Sequence, residues 1–457
     1  MTNNLYSGKK KKEILIAKRK KKKEKNNYND NEIQNTITDD NNDIKNIELT
    51  KSFGGNYNFN DKSQGIVSIF QKESKETIEK RKNLSNIHID LSKRKCKLIS
   101  TIPYDIDKST ILHHPVRPIW NSEDSKDFHE KKEQLYFQEW QNKVQNQYTN
   151  IDSIIPFENN IDVWRQLWRT IEQSDTIILV IDIRNPLLHM SPSLINNIID
   201  FHKKRLIGVI TKIDLVSKNY YNQWLYYLKK KYPSFYAFLP FTKQPIDEDI
   251  DGGIGGVSSR QKRLKKKPVK NDSRVENMIK NIIETCLEGY SLNSKLIIGC
   301  VGLPNAGKSS LLNSIIGEKV LSVSRTAGHT KHIQHINLHD NIYVMDCPGL
   351  VFPMLQPRYI LELCGIIPIA QIRETLTAID FLASYVELER LYNLKLPEWH
   401  DEGLWSSLAI CESFAEKKSY FTSKGHGAPD IHRAGLEIIR DCVDGAICLC
   451  FHPPNNL

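Results

Sequence analysis

The chain has 457 residues, a net charge of +10 and nine cysteines, with no C-x-x-C pair among them. That cysteine spacing argues against a disulfide framework or a zinc ribbon and fits a reducing compartment. No apolar run approaches the ~20 residues of a bilayer-spanning helix, and Ile14-Leu15-Ile16-Ala17 is too short for a signal-peptide core, so a soluble intracellular protein with no membrane segment is expected.

The length suffices for one medium α/β domain with additions. Positive charge is bunched at residues 9–12, 18–23 and 260–267. Such runs favour nucleic acid through counterion release and also read as a nuclear address, with the cytoplasm as the alternative. A solvated tail is the plainer reading of the first run.

Residues 1–110 read as a basic, largely disordered N-terminal region; 1–60 are rich in Asn, Asp and Lys, and 61–110 carry no pattern that assigns them. Residues 111–160 read as a helical lead-in. Pro115 to Trp120 is extended, and a helix over 125–144 carries Tyr136, Phe137 and Trp140 on one side. A helix over 162–173 sets Trp164 and Trp168 on one face, as core packing. A buried strand over 176–181 ends in Asp182-Ile183-Arg184-Asn185-Pro186. A helix over 193–203 follows, then a strand over 206–210, a helix over 220–232 and a strand over 236–241. Residues 243–272 are Gly-rich, then Lys-rich, and read as a flexible insertion. Next come a helix over 274–290, a strand over 295–301, a helix over 308–316 and strands over 332–338 and 342–345. Residues 366–457 read as a mainly helical C-terminal domain. In its apolar end, 446–451, Cys448 and Cys450 are expected as strand residues pointing to one face. Alternating strands and helices over 161–365 predict an α/β domain with a mostly parallel sheet covered on both faces.

Three motifs in that domain carry chemistry. Gly302-Leu303-Pro304-Asn305-Ala306-Gly307-Lys308-Ser309 has the form G-x-x-x-x-G-K-S and lies between a strand and a helix, as a phosphate loop must. Gly302 and Gly307 let the backbone wrap phosphates. The N–H groups of Asn305 to Ser310 and the helix N-terminus favour the anion. Lys308 would reach the β- and γ-phosphates, and Ser309 would ligate Mg²⁺. Asp346-Cys347-Pro348-Gly349 ends a hydrophobic strand, so Asp346 can hold Mg²⁺ through water and Gly349 can lend its N–H to the γ-phosphate.

Thr211-Lys212-Ile213-Asp214 separates GTP from ATP. The Asp214 carboxylate can accept the N1–H and N2–H₂ of guanine, a donor pair that adenine does not offer, while the Lys212 stem lies along the base. Thr211 stands where such motifs usually carry Asn, which weakens one supporting hydrogen bond and leaves Asp214 intact. Phe241-Thr242 ends the next strand, where a loop normally backs the base.

Between phosphate loop and Asp346, Thr326 and Thr330 both qualify by position to meet Mg²⁺ and the γ-phosphate. His329, His332, His335 and His339 crowd the same stretch, but their spacing does not put all four on one strand face, and a solvated strand and loop is the favoured reading.

The base reader precedes the phosphate loop, the reverse of the ordinary order. That order, with Asp182-x-Arg184-x-Pro186 upstream, resembles the circularly permuted GTPases of the YlqF/YawG family over about residues 115–455. The similarity is quotable at Arg117-Pro118-Ile119-Trp120, Tyr136-Phe137-Gln138-Glu139-Trp140, residues 163–169, Ser174-Asp175, Val443-Asp444-Gly445 and Cys450-Phe451-His452-Pro453-Pro454. The family's P-G-x-T motif is similar to Ala327-Gly328-His329-Thr330, which selects Thr330 and departs at the proline. The resemblance implies a circularly permuted P-loop GTPase domain that binds GTP and GDP with Mg²⁺ and hydrolyses GTP, with Lys308 and Thr330 as the catalytic residues. It further implies action in large-ribosomal-subunit assembly, with a pre-ribosomal particle or ribosomal RNA as partner.

Leu350 stands where many GTPases carry the glutamine that orients the attacking water, so intrinsic hydrolysis is expected to be slow. Asn305 is the residue that accompanies a K⁺ ion in related GTPases; shaping the loop is its other reading. Lys417, Lys418, Lys424, Arg433 and Arg440, with Tyr420-Phe421-Thr422, suit RNA contact or an amphipathic surface equally. The chain runs from Gly349 straight into the C-terminal domain, so nucleotide state is expected to reach that domain through the loop at Leu350.

Overall fold

The computed structural model describes residues 113–121, 123–147, 157–244, 273–291, 294–317, 334–339, 341–354, 356–397, 404–422 and 427–454, with Phe70, 74–84, 88–90 and 99–100. The expected N-terminal disorder over 1–60, most of the 243–272 insertion, the basic run 260–267 and Lys424 lie outside the described residues, as do Thr326, His329, Thr330 and His332.

Six strands make the central sheet: β1 (Thr176–Asp182), β2 (Arg205–Thr211), β3 (Ala237–Pro240), β4 (Leu296–Val301), β5 (Gln334–His339) and β6 (Ile342–Asp346). Their spatial order is β3-β2-β1-β4-β6-β5. All neighbouring pairs are parallel except β5 with β6 at one edge. The register sets Asp182 beside Thr211 and Cys300 beside Asp346. Five parallel strands therefore end on one edge, where open α/β sheets bind ligands.

Strand β1 is buried throughout and apolar from Ile177 to Ile181, because both faces of the sheet are covered. Its side chains alternate. Ile177, Leu179 and Ile181 join one core, while Ile178 and Val180 join the other. Helices α1 (Lys126–Gln147), α2 (Ile161–Gln173) and α3 (Lys218–Lys231) supply the first core through Phe137, Trp140, Trp164, Trp168 and Trp224. Each buried tryptophan contributes on the order of 5 kcal/mol of apolar burial before entropy is charged. Helices α4 (Ser273–Leu287) and α5 (Lys308–Ile316) cover the opposite face through Ile282, Leu311 and Leu312.

Local signals start these helices. The Asn160 side chain accepts from the Asp162 N–H at the head of α2, and Ser217 accepts from Tyr220 at the head of α3. The lead-in strap is pinned to the first core by indole hydrogen bonds. Trp140 donates to the His113 carbonyl and Trp168 to that of Pro115, each at 2.8 Å. His114 is buried, with Nδ1 2.6 Å from Ser193 Oγ.

Beyond the sheet lie α6 (Arg358–Leu363), α7 (Leu376–Ala383), α8 (Ser407–Lys417) and α9 (Ile431–Asp444). Leu361, Ile379, Phe414, Ile438 and Cys442 share the core of α2 and β1, so these helices pack on that face of the sheet.

Two expectations are corrected, and one unassigned stretch gains a helix. The helix predicted over 193–203 is a short α-segment, Pro192–Asn196, running into a π-segment, Asn197–Phe201. The wider turn keeps Leu194, Ile195 and Ile198 in the core. Cys448 and Cys450 precede the last strand rather than forming it, since only Phe451–His452 pairs, in parallel, with Ile99–Ser100. Their sulfurs do share a side, 3.2 Å apart. Within 61–110, which the sequence left unassigned, Lys75–Leu84 is helical.

Candidate functional site

At the sheet's carboxyl edge the phosphate loop leaves β4 and turns into α5. Lys308 is buried, and its Nζ donates to the carbonyls of Gly302 at 3.0 Å and Leu303 at 2.8 Å. Burial pushes its pKa down, and Asp346 pulls it back. Asp346, fully buried at the end of β6, accepts from Ser309 Oγ at 3.0 Å. A hydroxyl and a carboxylate oxygen side by side at a phosphate loop are the donors Mg²⁺ takes, so this pair fits the ion. Among the described residues no group of three or more histidines, cysteines or carboxylates is placed to hold a metal.

Gly349 lies against the loop. A Cβ there would stand 2.7 Å from Pro304 Cα and 3.0 Å from Lys308 Nζ, so no larger residue fits without moving the phosphate loop. The next residue, Leu350, is 1% exposed, and its N–H donates to the Gly302 carbonyl at 3.4 Å.

The base reader closes the other side. Thr211 is buried, with Oγ1 2.6 Å from the Ala306 carbonyl and 3.1 Å from that of Ile181. The support expected to weaken at this position is thus made by the hydroxyl, directly to the phosphate loop. Thr242 Oγ1 donates to Asp214 Oδ1 at 2.8 Å and takes the Gln244 N–H at 3.0 Å. The loop after β3 therefore orients the Asp214 carboxylate, in the place expected from Phe241-Thr242.

Lys212 adopts a left-handed backbone, φ 58°, and its Nζ lies 2.7 Å from Asp182 Oδ2. The same oxygen is 2.7 Å from Arg184 Nη2. Burial alone would raise the Asp182 carboxyl; the Arg184 and Lys212 charges outweigh it and hold it well below the usual range.

Lys308, Ser309, Asp346, Gly349, Asn305, Thr211, Lys212 and Asp214 are thus brought to one edge, and Thr330 lies outside the described residues. Sequence reasoning placed Phe241-Thr242 behind the base but did not foresee the hydrogen bond from Thr242 to Asp214. It also missed His189, a buried imidazole whose pKa burial pushes down to about 3. Asp182 pulls His189 back, while Lys212 and Lys308 push it further down.

The family model described as "50S ribosome-binding GTPase" matches residues 297–388. That span holds the phosphate loop and Asp346 but not Thr211 to Asp214, which lie upstream. Guanine nucleotide-binding protein-like 1 of Mus musculus is 32% identical over 440 residues, covering 84% of this chain and 72% of the relative. The Homo sapiens protein of that name is also 32% identical, with the same shares covered. The chain belongs to the circularly permuted GTPases of the YlqF/YawG family. Large subunit GTPase 1 of Saccharomyces cerevisiae is 33% identical over 75% of this chain and 58% of the relative. Among solved structures, the GDP-bound structure of TM YlqF covers 64% of this chain and 100% of its own, at 20% identity and a TM-score of 0.37.

In this GTPase the basic residues of the C-terminal region are largely engaged. Lys418 pairs with Glu437 at 2.9 Å, Lys417 donates to the carbonyls of Tyr392 and Asn393, and Arg433 stacks 3.9 Å over the Tyr420 ring. Phe421 is half exposed. Among the described residues, no helix is long and apolar enough to cross a membrane.

Proposed function

We propose that the protein is a GTP-dependent switch that hydrolyses slowly on its own and acts on a precursor of the large ribosomal subunit. One observation carries the switch reading. Thr211 ties the guanine reader to the phosphate loop at 2.6 Å, beside the Ser309–Asp346 pair, so base, phosphate and metal determinants form one connected unit. The ribosomal partner is supported by the names of the matched family and of the yeast relative. The lysine run at residues 18–23 supports a nuclear address.

Each residue has a role in this reading. Asp214 accepts the guanine N–H donors, with Thr242 holding one of its oxygens. The phosphate loop cradles the phosphates, and Lys308 leaves the Gly302 and Leu303 carbonyls for the β- and γ-oxygens. Ser309, Asp346 and Thr330 would hold Mg²⁺, which when bound offsets phosphate charge. Asn305 is the proposed K⁺ residue, where a second cation would supply further positive charge. Water attacks in line at the γ-phosphate. Leu350 offers it no hydrogen bond, so turnover waits for a group from the particle.

A buried Leu350 also favours a second reading, a nucleotide-dependent RNA or protein scaffold with negligible turnover. GTP turnover with and without large-subunit precursors, in K⁺ and in Na⁺, separates the two. The switch requires stimulation by the particle; a rate unmoved by particle and cation leaves the scaffold.

A further inference from the structure

Two separate links run from the nucleotide edge into the C-terminal helices, and neither passes through Leu350. One starts at the base reader. Lys212 Nζ and Arg184 Nη2 share Asp182 Oδ2 at 2.7 Å each, and Arg184 Nη1 continues to the carbonyls of Cys442 at 2.8 Å and Val443 at 3.3 Å. Those carbonyls belong to the last turn of α9, which carries partial negative charge, and that of Cys442 also takes the capping Gly445 N–H at 3.1 Å. The Arg184 guanidinium, 4% exposed, thus joins the guanine reader to the end of a helix more than 250 residues away in sequence.

The other link starts at the phosphate loop. Asn305, in a left-handed conformation at φ 56°, donates from Nδ2 to the Gly365 carbonyl at 2.7 Å. Gly365 ends the turn after α6 at φ 72°, a conformation that suits glycine. A Cβ on Gly365 would stand 2.6 Å from Val443 Cγ1 and 3.1 Å from Asn305 Nδ2. The two links therefore meet at Val443. Its carbonyl takes the arginine, and its side chain packs on the glycine that takes Asn305.

We infer that the C-terminal helices complete the nucleotide site, with Arg184 positioning the guanine reader and Asn305 positioning the phosphate loop, so that nucleotide binding and docking of α9 are one linked equilibrium. This rests on the GTP-binding reading and adds a route for it. Linkage is reciprocal: whatever factor docking contributes to nucleotide affinity, nucleotide contributes to docking. A ribosomal surface that draws α9 away would then release nucleotide without touching the phosphate loop.

Hydrogen exchange on the full chain with and without GDP, alongside GDP affinity, tests the inference. In the wild type, GDP should slow exchange about tenfold over α9 and the α6 turn, within the range coupling free energies span. Arg184→Gln should abolish the GDP-dependent slowing in α9 and weaken GDP about tenfold. Arg184→Lys, which keeps the charge but not the fork, should fall between. A purely structural arginine would lower thermal stability equally with and without GDP and leave the GDP-dependent difference intact. The inference is overturned if wild-type GDP binding leaves exchange in α9 unchanged, or if folded Arg184→Gln binds GDP as the wild type does. The wild-type measurement decides alone if that variant fails to fold. A wild type that binds no GDP overturns the GTP-binding reading itself, and this inference with it.

Discussion

Replacing Thr211 by valine removes one hydroxyl and keeps the shape of the side chain. The lost contacts are the 2.6 Å bond to the Ala306 carbonyl and the longer 3.1 Å approach to Ile181. One hydroxyl carries one proton, so the shorter contact holds most of the energy. Ala306 is buried, so its carbonyl loses a partner with no water at hand. That costs about 1–3 kcal/mol. A middle figure of about 2 kcal/mol, expressed in the loop geometry that binds phosphate, is roughly a 30-fold loss of GDP affinity. Equilibrium titration with a fluorescent GDP analogue reads it directly, with Lys308→Ala as the non-binding control. Thr211→Ser should bind within a few-fold of wild type, because it restores the donor. Wild-type affinity in Thr211→Val would refute the claim that this hydroxyl sets the loop.

Asp214→Ala should collapse the preference for guanine over adenine by ten- to a hundredfold, the worth of about 1.5–3 kcal/mol in hydrogen bonds to a charged group; competition binding with ADP checks it, and an unchanged ratio counts against the assignment. Thr242→Val should cost several-fold in GDP affinity through loss of its 2.8 Å bond to Asp214, read in the same titration. Leu350→Gln should not speed intrinsic turnover, because position 350 is buried and an amide there costs about 1–3 kcal/mol; a faster single-turnover rate would show that the side chain reaches the attacking water. His114 is pushed down to about 3 by burial, so the unfolded chain binds its proton below about pH 6.5 while the native chain does not until about 3. Stability should therefore fall as pH drops through that window, by up to about 1.4 kcal/mol per unit from this group. His114→Gln should remove that share of the slope in urea midpoints measured against pH.

The chemistry was legible where it is contiguous. Residues 302–309 form one loop, and the helix expected over 308–316 is the helix found. Asp346 and Thr211 sit at strand ends, which a run of apolar residues marks. What sequence could not display are partners drawn from distant segments, such as Thr242 for Asp214 or Cys442 for Arg184. Periodicity reports which face of an element is buried, not what it is buried against. The helix Lys75–Leu84 escaped because its charged sequence carries no apolar stripe. The π-segment after Asn196 escaped because an inserted turn leaves the apolar spacing close to that of a plain helix.

Thr211 to Asp214 are synthesised well before the residues that hold this part of the fold. Tyr220 and Trp224, in the first half of α3, both donate to the carbonyl of Phe451, and Arg184 waits for the end of α9. Strand β1 gains its second neighbour only when β4 emerges, more than a hundred residues later. Long-range pairing of this kind folds late. A nascent chain should therefore leave the translating ribosome's tunnel almost entirely before it can hold nucleotide, and a stop codon upstream of α9 should yield a protein with every nucleotide motif and little GDP binding.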